Sequence, residues 1–336
     1  MSEATTELEI RCERQQNPIA DEVMALVATV RPILHGLLYT LKEDIVLSVV
    51  EDYDEVTLKL LARLYRPGDG DCGICYEYAI HEAVRREDGA VLERICDALR
   101  KCKVPGNSIE SILFGVEKRG ASQLIATAQS VLTDESRLLT GKPSQPPKLK
   151  GYLNQIAAAF RRKTTRKSLP TSINGLWKAD LFLGTLDGDR WVGTTVKINR
   201  SQLEAANGLR LGIVPSNQGT SDRIRKDESK NLIVCPLPYD GAFMEIFYQA
   251  WGIVQQVILA DAKLPKEVRL PISSHRLVAN ELVSRRDFPV TDIIDALIAM
   301  SQPELLVTDE QAKPIHTQQA GELLLDGLIS PIAKPL

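Results

Sequence analysis

The sequence lacks the features of a membrane-spanning or an exported protein. No apolar run reaches the roughly 18 residues that a membrane-spanning helix needs. The polar start of the chain, MSEATTELEIRCERQQ, contains no apolar segment typical of a signal peptide. Six cysteines are too few to form a disulfide framework in a chain of 336 residues. We therefore expect a cytoplasmic protein with reduced thiols and no membrane contact.

Aromatic side chains are also scarce, at 5% of the residues, but aliphatic ones are plentiful and 44% of the chain is hydrophobic. This composition excludes global disorder, since the chain has enough apolar side chains to bury a core. Its length is sufficient for two modest domains or for one core with helical additions. The net charge of −3 excludes a nucleic-acid binder that is basic throughout.

Acidic residues are missing from residues 136–179, which contain ten Lys or Arg side chains. The remaining residues carry 31 basic and 44 acidic side chains, a net charge of −13. This segregation indicates one positive surface, for which DNA or RNA is the natural partner, although a solvated loop beside an acidic neighbour gives the same pattern. The basic cluster expected to bind phosphates without reading bases consists of Arg161, Arg162, Lys163, Arg166 and Lys167.

The spacing of apolar residues divides the chain into helical and strand segments. Helical spacing predicts helices over residues 21–41, 56–65, 74–86, 90–101, 108–118, 121–132 and 151–163. From Leu176 the apolar period falls to about 2, which predicts strands over residues 177–184, 190–199, 209–216 and 231–238. Asp187-Gly188 predicts a hairpin between the first two strands. Further helices are expected over residues 201–208, 242–262 and 290–300.

These segments predict an α/β protein with a mixed central sheet flanked by helices. We expect an N-terminal helical region over residues 1–70 and a C-terminal helical region and tail over residues 263–336. The core between them, residues 71–262, would carry a basic helical insertion at about residues 89–170. The long apolar helix at residues 242–262 is suited to cover the sheet.

Strand parity brings two charged residues of the hairpin to one face, because alternate side chains of a strand point to opposite faces. The apolar face of the first strand would consist of Ala179, Leu181 and Leu183, and that of the second of Val192, Val196 and Ile198. Asp180 then points the other way, as do Thr195 and Lys197 on the second strand. A carboxylate that can hold a divalent cation would thus lie beside an ammonium that can steady an anion.

The predicted elements follow one order along the chain: a helix, an Asp-bearing strand, a hairpin to a strand ending in x-x-Lys, a helix and a further strand. This arrangement resembles the PD-(D/E)xK nuclease superfamily, with Ala179-Asp180 matching the metal-binding Asp and Thr195-Val196-Lys197 matching the (D/E)xK tripeptide. Many members place a further metal-binding Glu on the first core helix, and Glu77 matches it. The resemblance covers about residues 72–262 and implies a restriction-endonuclease-like fold.

The resemblance implies a nuclease that hydrolyses DNA with Mg²⁺ or Mn²⁺, held by Asp180 and Glu77, while Lys197 orients water or neutralises charge. It also implies a role in prokaryotic antiviral defence or restriction. Because cutting two DNA strands often calls for two active sites, we further expect a homodimer or a complex with a partner protein. Thr195 departs from the family pattern, because a hydroxyl binds a hard cation more weakly than a carboxylate. A catalytically weakened DNA-binding subunit of a larger complex is therefore an alternative.

Cysteines and histidines leave two other interpretations open. Cys72 and Cys75 could start a zinc site with Cys96 and Cys102, although the last interval does not fit common zinc ribbons. Cys72 or Cys75 at a helix start could instead be the nucleophile of a cysteine hydrolase, which would need His275 or His316. His81 lies four residues after Glu77 and could pair with it on one helix face. Trp177 and Trp191 flank the hairpin strands and are expected to serve in packing.

Overall fold

A mixed sheet flanked by helices forms the centre of the molecule, as the sequence predicts, but it has seven strands where four were expected. The structure is a computed structural model that describes residues 21–68, 71–114, 123–140, 145–217, 222–239 and 243–301. The strands are β1 Ile109–Leu113, β2 Arg137–Leu139, β3 Leu181–Thr185, β4 Arg190–Val196, β5 Leu209–Pro215, β6 Arg225–Asp227 and β7 Leu232–Leu237. The helices are α1 Asp21–Leu38, α2 Glu43–Val46, α3 Leu58–Leu64, α4 Asp71–Arg85, α5 Gly89–Lys101, α6 Gln123–Val131, α7 Leu153–Arg161, α8 Phe243–Leu259, α9 Ser273–Ser284 and α10 Val290–Ser301.

The strand order is β1-β3-β4-β5-β7-β6, and β2 pairs with β4 beside β5. The hairpin β3–β4 is antiparallel, as predicted, and its connection is a 3₁₀ turn followed by Asp189 in the left-handed region. β5 runs parallel to both β4 and β7, whereas β1 and β6 are antiparallel to their neighbours. β2 pairs with the first half of β4 and β5 with the second half. The strand that carries Thr195 is therefore held by partners along both of its edges.

The predicted helix over residues 108–118 is wrong within its described part, because residues 109–113 form the strand β1. Both faces of β1 are buried. Ile109 and Leu113 join the core on one face of the sheet, and Ile112 joins the core on the other. Apolar residues on both faces of a buried strand produce the same i, i+3, i+4 spacing as one face of a helix. The predicted helix over residues 201–208 is also wrong, since only a 3₁₀ turn at Arg200–Gln202 forms there.

Each face of the sheet packs against a separate hydrophobic core. The larger core extends from Val23 to Leu297 and includes residues of the N-terminal, central and C-terminal regions predicted from the sequence. The smaller core contains Leu176, Phe182 and Trp191 together with one face of α7. Ala179 belongs to this smaller core and not to the face of Leu181 and Leu183, because it caps a 3₁₀ turn just before β3 begins. Within the described ranges, no helix is long and apolar enough to cross a membrane.

Close packing inside the hairpin predicts a large effect of one small substitution. A Cβ atom on Gly184 of β3 would lie 2.5 Å from Cδ2 of Trp191 and 2.7 Å from the carbonyl oxygen of Arg190. We expect Gly184→Ala to lower the free energy of unfolding by about 1–3 kcal/mol, because the indole ring must move. Gly252→Ala in α8 is the matched control, since a Cβ there meets no atom within 4 Å. It should raise that free energy by up to about 1 kcal/mol. Urea denaturation of both variants measures these changes, and equal effects would contradict the packing argument.

Candidate active site

The carboxylate of Asp180 is the centre of the candidate site. It lies just before β3 and is only 1% exposed. Its backbone continues the sheet pairing on both sides, because its N–H donates to the carbonyl of Thr194 and its carbonyl accepts from the N–H of Phe114. The position of the side chain is therefore fixed by β1 and β4 together.

Three donors from the end of β4 converge on one oxygen of this carboxylate. Oδ2 of Asp180 accepts hydrogen bonds from Oγ1 of Thr195 at 3.1 Å, from N of Val196 at 2.8 Å and from Nζ of Lys197 at 2.7 Å. Thr195 is buried, and the side chain of Lys197 is 29% exposed. The structure thus brings together the three hairpin residues that strand parity places on one face.

Glu77 is the second carboxylate near Lys197. It lies on α4, which packs against β1 and β4, and its side chain is buried. Oε1 of Glu77 is 3.6 Å from Nζ of Lys197. One ammonium therefore lies between two buried carboxylates. The formal charge of this group is −1, so the site can attract a further cation.

The site opens into a cleft of about 890 Å³, a volume typical of ligand-binding clefts. Glu77, Asp180, Thr195 and Lys197 line its inner part. Its other lining residues come from the end of α7, from the segment that links α7 to β3 and from the loop after β4, and they include Phe160, Arg166, Trp177, Lys178, Asn199, Gln202 and Glu204. Lys178 and Glu204 form an ion pair among these residues.

The basic cluster lies beside this cleft. The guanidinium carbon of Arg166 lies 3.5 Å from the centroid of a Trp177 ring, a cation–π contact, and Nε of Arg166 donates to the carbonyl of Ala159 at 3.2 Å. Arg161, Arg162, Lys163 and Lys167 are exposed on the end of α7 and the 3₁₀ turn that follows it. The positive surface indicated by the sequence therefore adjoins the carboxylate site.

The donor set of the site fits a hard divalent cation. Mg²⁺ is commonly held by one or two carboxylates, with water and substrate phosphate oxygens completing its ligands, and Asp180 and Glu77 supply two carboxylates. The ammonium of Lys197 between them shows that the geometry accommodates positive charge there. Across the described part of the chain, no three His, Cys, Asp or Glu residues converge as a metal site. A cation at Asp180 and Glu77 would thus depend on ligands from solvent or substrate.

The surroundings of the cysteines do not favour a thiolate nucleophile. Burial, together with the neighbouring Asp71, raises the pKa of Cys72 to about 11. Burial also raises the pKa of Cys75, whose thiol donates to the carbonyl of Ile33. His275 contacts Gln249 on α8, and His316 lies outside the described residues. Cys72, Cys75, Cys96, Cys102 and Cys235 are free thiols, and no metal group of three ligands forms among the described residues.

His81 is tied to the sheet. Its Nδ1 shares a hydrogen bond of 2.9 Å with Oγ of Ser111 on β1, and burial lowers the pKa of His81 to about 3. The ring is therefore neutral at pH 7 and anchors α4 to β1, while Glu77 on the same helix contacts Lys197.

Comparison of the chain with models of known protein families, with curated proteins and with solved structures finds no match. The site is interpreted from its own geometry. The sequence analysis did not identify Trp177 and Lys178 as parts of it, and assigned Trp177 to packing. Trp191 is buried in the smaller core, as expected, but Trp177 is partly exposed and lines the cleft. The signal for Trp177 in the sequence was its position at the edge of the basic segment, two residues after Gly175.

Proposed function

We propose that the protein is a metal-dependent nuclease that hydrolyses DNA phosphodiester bonds at the site formed by Asp180, Glu77, Thr195 and Lys197. The observation that carries this proposal is the convergence of two carboxylates and an ammonium in one cleft that further cationic side chains line. These groups come from α4, from the start of β3 and from the end of β4. Hydrolysis of a phosphodiester uses both carboxylates and cations. Carboxylates can hold a metal that positions a water, and cations stabilise the charge around the phosphate.

Each side chain has a distinct part in this chemistry. Asp180 and Glu77 would hold Mg²⁺ or Mn²⁺, which supplies Lewis-acid polarisation of the phosphate and a bound water of lowered pKa. The N–H of Val196 and the hydroxyl of Thr195 fix the orientation of the Asp180 carboxylate. Lys197 places a positive charge where negative charge develops on the phosphate oxygens. Arg166 and Lys178 in the lining of the cleft attract the neighbouring phosphates of the strand.

Part of the element order supports a restriction-endonuclease-like fold and membership of the PD-(D/E)xK superfamily, but a 3₁₀ turn at Arg200–Gln202 stands where the resemblance expects a helix between β4 and β5. Helix α4 carries Glu77, β3 follows Asp180, β4 leads to Lys197, and β5 then joins β4 in parallel. A setting in prokaryotic antiviral defence or restriction follows from this resemblance alone. The proposal keeps the cytoplasmic location expected from the sequence, and a homodimer or a partner protein because cutting two strands often calls for two active sites.

The direct test is incubation of the purified protein with supercoiled and linear DNA in Mg²⁺, in Mn²⁺ or in EDTA. We expect nicked or shortened DNA in the presence of either metal and intact DNA in EDTA. Cleavage that persists in EDTA would contradict the role of the metal. Intact DNA in every metal tested, at a protein concentration that saturates binding, would contradict the nuclease.

A catalytically weakened DNA-binding subunit is the second candidate, and the contact of Thr195 favours it. Its hydroxyl donates to Asp180, in the place where the family has a metal-binding carboxylate. This subunit would bind DNA in a salt-dependent way without cleaving it. Calorimetric titration of the protein with Mg²⁺ separates the two candidates, since only the nuclease requires a bound metal.

The basic cluster predicts a salt-dependent DNA affinity. We expect the triple variant Arg162→Ala, Lys163→Ala, Lys167→Ala to bind DNA more weakly at every sequence and with a shallower dependence on salt. Each phosphate contact that is removed should lower the slope of log K against log salt by about 1.

The matched control removes three exposed cations that lie outside the cleft of the candidate active site, Lys263, Lys266 and Arg269. Fluorescence anisotropy over a series of salt concentrations measures the affinity of both triple variants. Equal slopes for the two variants would show that the basic cluster is not the DNA-binding surface.

A further inference from the structure

A second cleft adjoins the first across the Arg166–Trp177 pair. It has a volume of about 540 Å³ and shares Arg166, Trp177 and Leu209 with the candidate active site. Its other walls come from the loop before β3, the loop before β5 and the turn between β6 and β7. A polymer bound at Asp180 can therefore extend into this second cleft across the shared residues.

Hydrogen bonds between two loops hold the polar wall of the second cleft. The N–H of Gly175 donates to the carbonyl of Asn207 at 2.8 Å, and Nδ2 of Asn207 donates to Oδ1 of Asn174 at 3.1 Å. A Cβ on Gly175 would lie 2.6 Å from N of Asn207, so only glycine permits this approach. The loops are thus fixed before a ligand binds, which lowers the entropic cost of binding.

The charge of the second cleft differs from that of the first. Arg166, Lys167 and Lys230 line it, and its described lining residues include no Asp or Glu. The first cleft, by contrast, contains Glu77 and Asp180. A cleft with several cations and no carboxylate attracts an anion such as a phosphate.

Amide side chains accompany these cations. Asn174, Asn207 and Asn231 line the second cleft beside the indole of Trp177. Asn amides offer both donors and acceptors, which suit the edges of a nucleobase. The guanidinium of Arg166, stacked on the Trp177 ring, offers a plane on which the face of a base can stack. Cations, amides and this stacked pair together match the phosphate, the base edge and the base face of a nucleotide.

We propose that the second cleft is a subsite for an unpaired nucleotide of the strand whose phosphodiester occupies the first cleft. This inference rests on the proposed function. The base must be unpaired, because the amides can reach its edge only when no complementary base covers it. The volume of the cleft also suits one small ligand and not a duplex. The preferred substrate is therefore single-stranded DNA or a duplex with an unpaired end.

The test compares binding of a labelled single strand and of a blunt duplex of the same sequence, in EDTA so that no cleavage occurs. We expect Lys230→Glu to weaken single-strand binding by about tenfold or more and duplex binding much less. Asn207→Ala should weaken single-strand binding without changing its salt dependence, since an amide contact releases no counterions. The control is Lys226→Glu, which reverses a charge on β6 that lines neither cleft. Circular dichroism verifies that all variants fold.

If Lys230→Glu lost affinity equally for single strand and duplex, or lost no more affinity than Lys226→Glu, the subsite would be overturned. Competition with deoxyadenosine monophosphate separates a nucleotide within a strand from a free nucleotide. We expect deoxyadenosine monophosphate to displace the labelled strand only at a far higher concentration than the unlabelled strand does. Tighter binding of the free nucleotide than of the strand would overturn the proposal. Selective loss in Lys230→Glu without DNA cleavage by the wild type would contradict the nuclease and retain the subsite. Metal-dependent cleavage by the wild type, without a selective loss of single-strand affinity in Lys230→Glu, would support the nuclease and contradict the subsite.

Discussion

Asp180→Asn is expected to reduce metal-dependent DNA cleavage by about 10³-fold or more, because it removes a buried carboxylate from the proposed metal site. Asn has nearly the same shape as Asp, and its carbonyl can still accept the hydrogen bond from the N–H of Val196. It has no negative charge to hold a cation or to balance Lys197. Plasmid cleavage in Mg²⁺ and in Mn²⁺ measures the activity, and calorimetric titration measures the affinity for the metal.

Two comparisons make this result specific to the site. Asp97→Asn removes a carboxylate that pairs with Arg100 on α5 and lines neither cleft, so cleavage should be unchanged. Asp180→Asn should also keep its DNA affinity in EDTA, since the contacts with phosphates come from other residues. Cleavage by Asp180→Asn at more than a tenth of the wild-type rate would overturn the assignment of the active site.

Lys197→Met should separate catalysis from metal binding. We expect cleavage to fall by about 10²–10³-fold, since the positive charge beside the reacting phosphate is lost. The affinity for Mg²⁺ should stay the same or increase, because the ammonium no longer neutralises Asp180 and Glu77. Asp180→Asn should differ from it in one property, since Asp180→Asn is expected to lose the affinity for Mg²⁺ as well as cleavage.

The stability of Lys197→Met provides an independent measurement. Without metal, its free energy of unfolding should fall by about 3 kcal/mol, the lower end for a broken buried pair, since the Lys197 side chain is 29% exposed. Mg²⁺ should restore part of this loss, because a ligand that binds only the folded state stabilises it. Lys226→Met is the control, because it breaks an exposed pair with Glu228 and should cost at most about 1 kcal/mol. Thermal melts with and without Mg²⁺ measure both effects, and equal losses for the two variants would contradict the central position of Lys197.

The alternation of side chains along the hairpin strands was sufficient to predict the three hairpin residues of the candidate site. Leu181 and Val196 face the larger core. Their sequence neighbours Asp180, Thr195 and Lys197 therefore had to share the other side of the sheet. Most of the helices were also predictable, because each has one apolar face toward a core. Local periodicity succeeds for these helices because each buries one face and exposes the other, whereas in the doubly buried hairpin the alternation of polar and apolar residues at its end was the signal.

The remaining features depend on contacts between distant parts of the chain. Residues 109–113 of β1 are buried on both faces, so their pattern is the same as that of a helix. β2 has three residues, too few for any period to appear. The placement of Arg166 on Trp177 requires α7 to fold back beside β3, which no local pattern specifies. The second cleft likewise combines three loops that are far apart in the sequence.

The contacts of α1 link the helix that carries Glu77 to the last described helix of the chain. Helix α1 packs against α4, α8, α9 and α10. Arg31 of α1 forms an ion pair with Glu82 of α4 and donates a hydrogen bond to the carbonyl of Ile294 in α10. The helix that carries Glu77 is therefore supported by α1, and α1 is supported by a helix more than half the chain away.

A growing chain leaves the ribosome from its N-terminus, and contacts between distant segments form last. The β3–β4 hairpin can bring Asp180 and Lys197 together from local contacts long before α10 has been made. Helix α4 also contacts β1, β4 and α8, so Glu77 can approach Asp180 and Lys197 earlier, but the packing around α1 is complete only when α10 has been made. The proposed site would thus reach its final rigidity only after the last described helix has been synthesised.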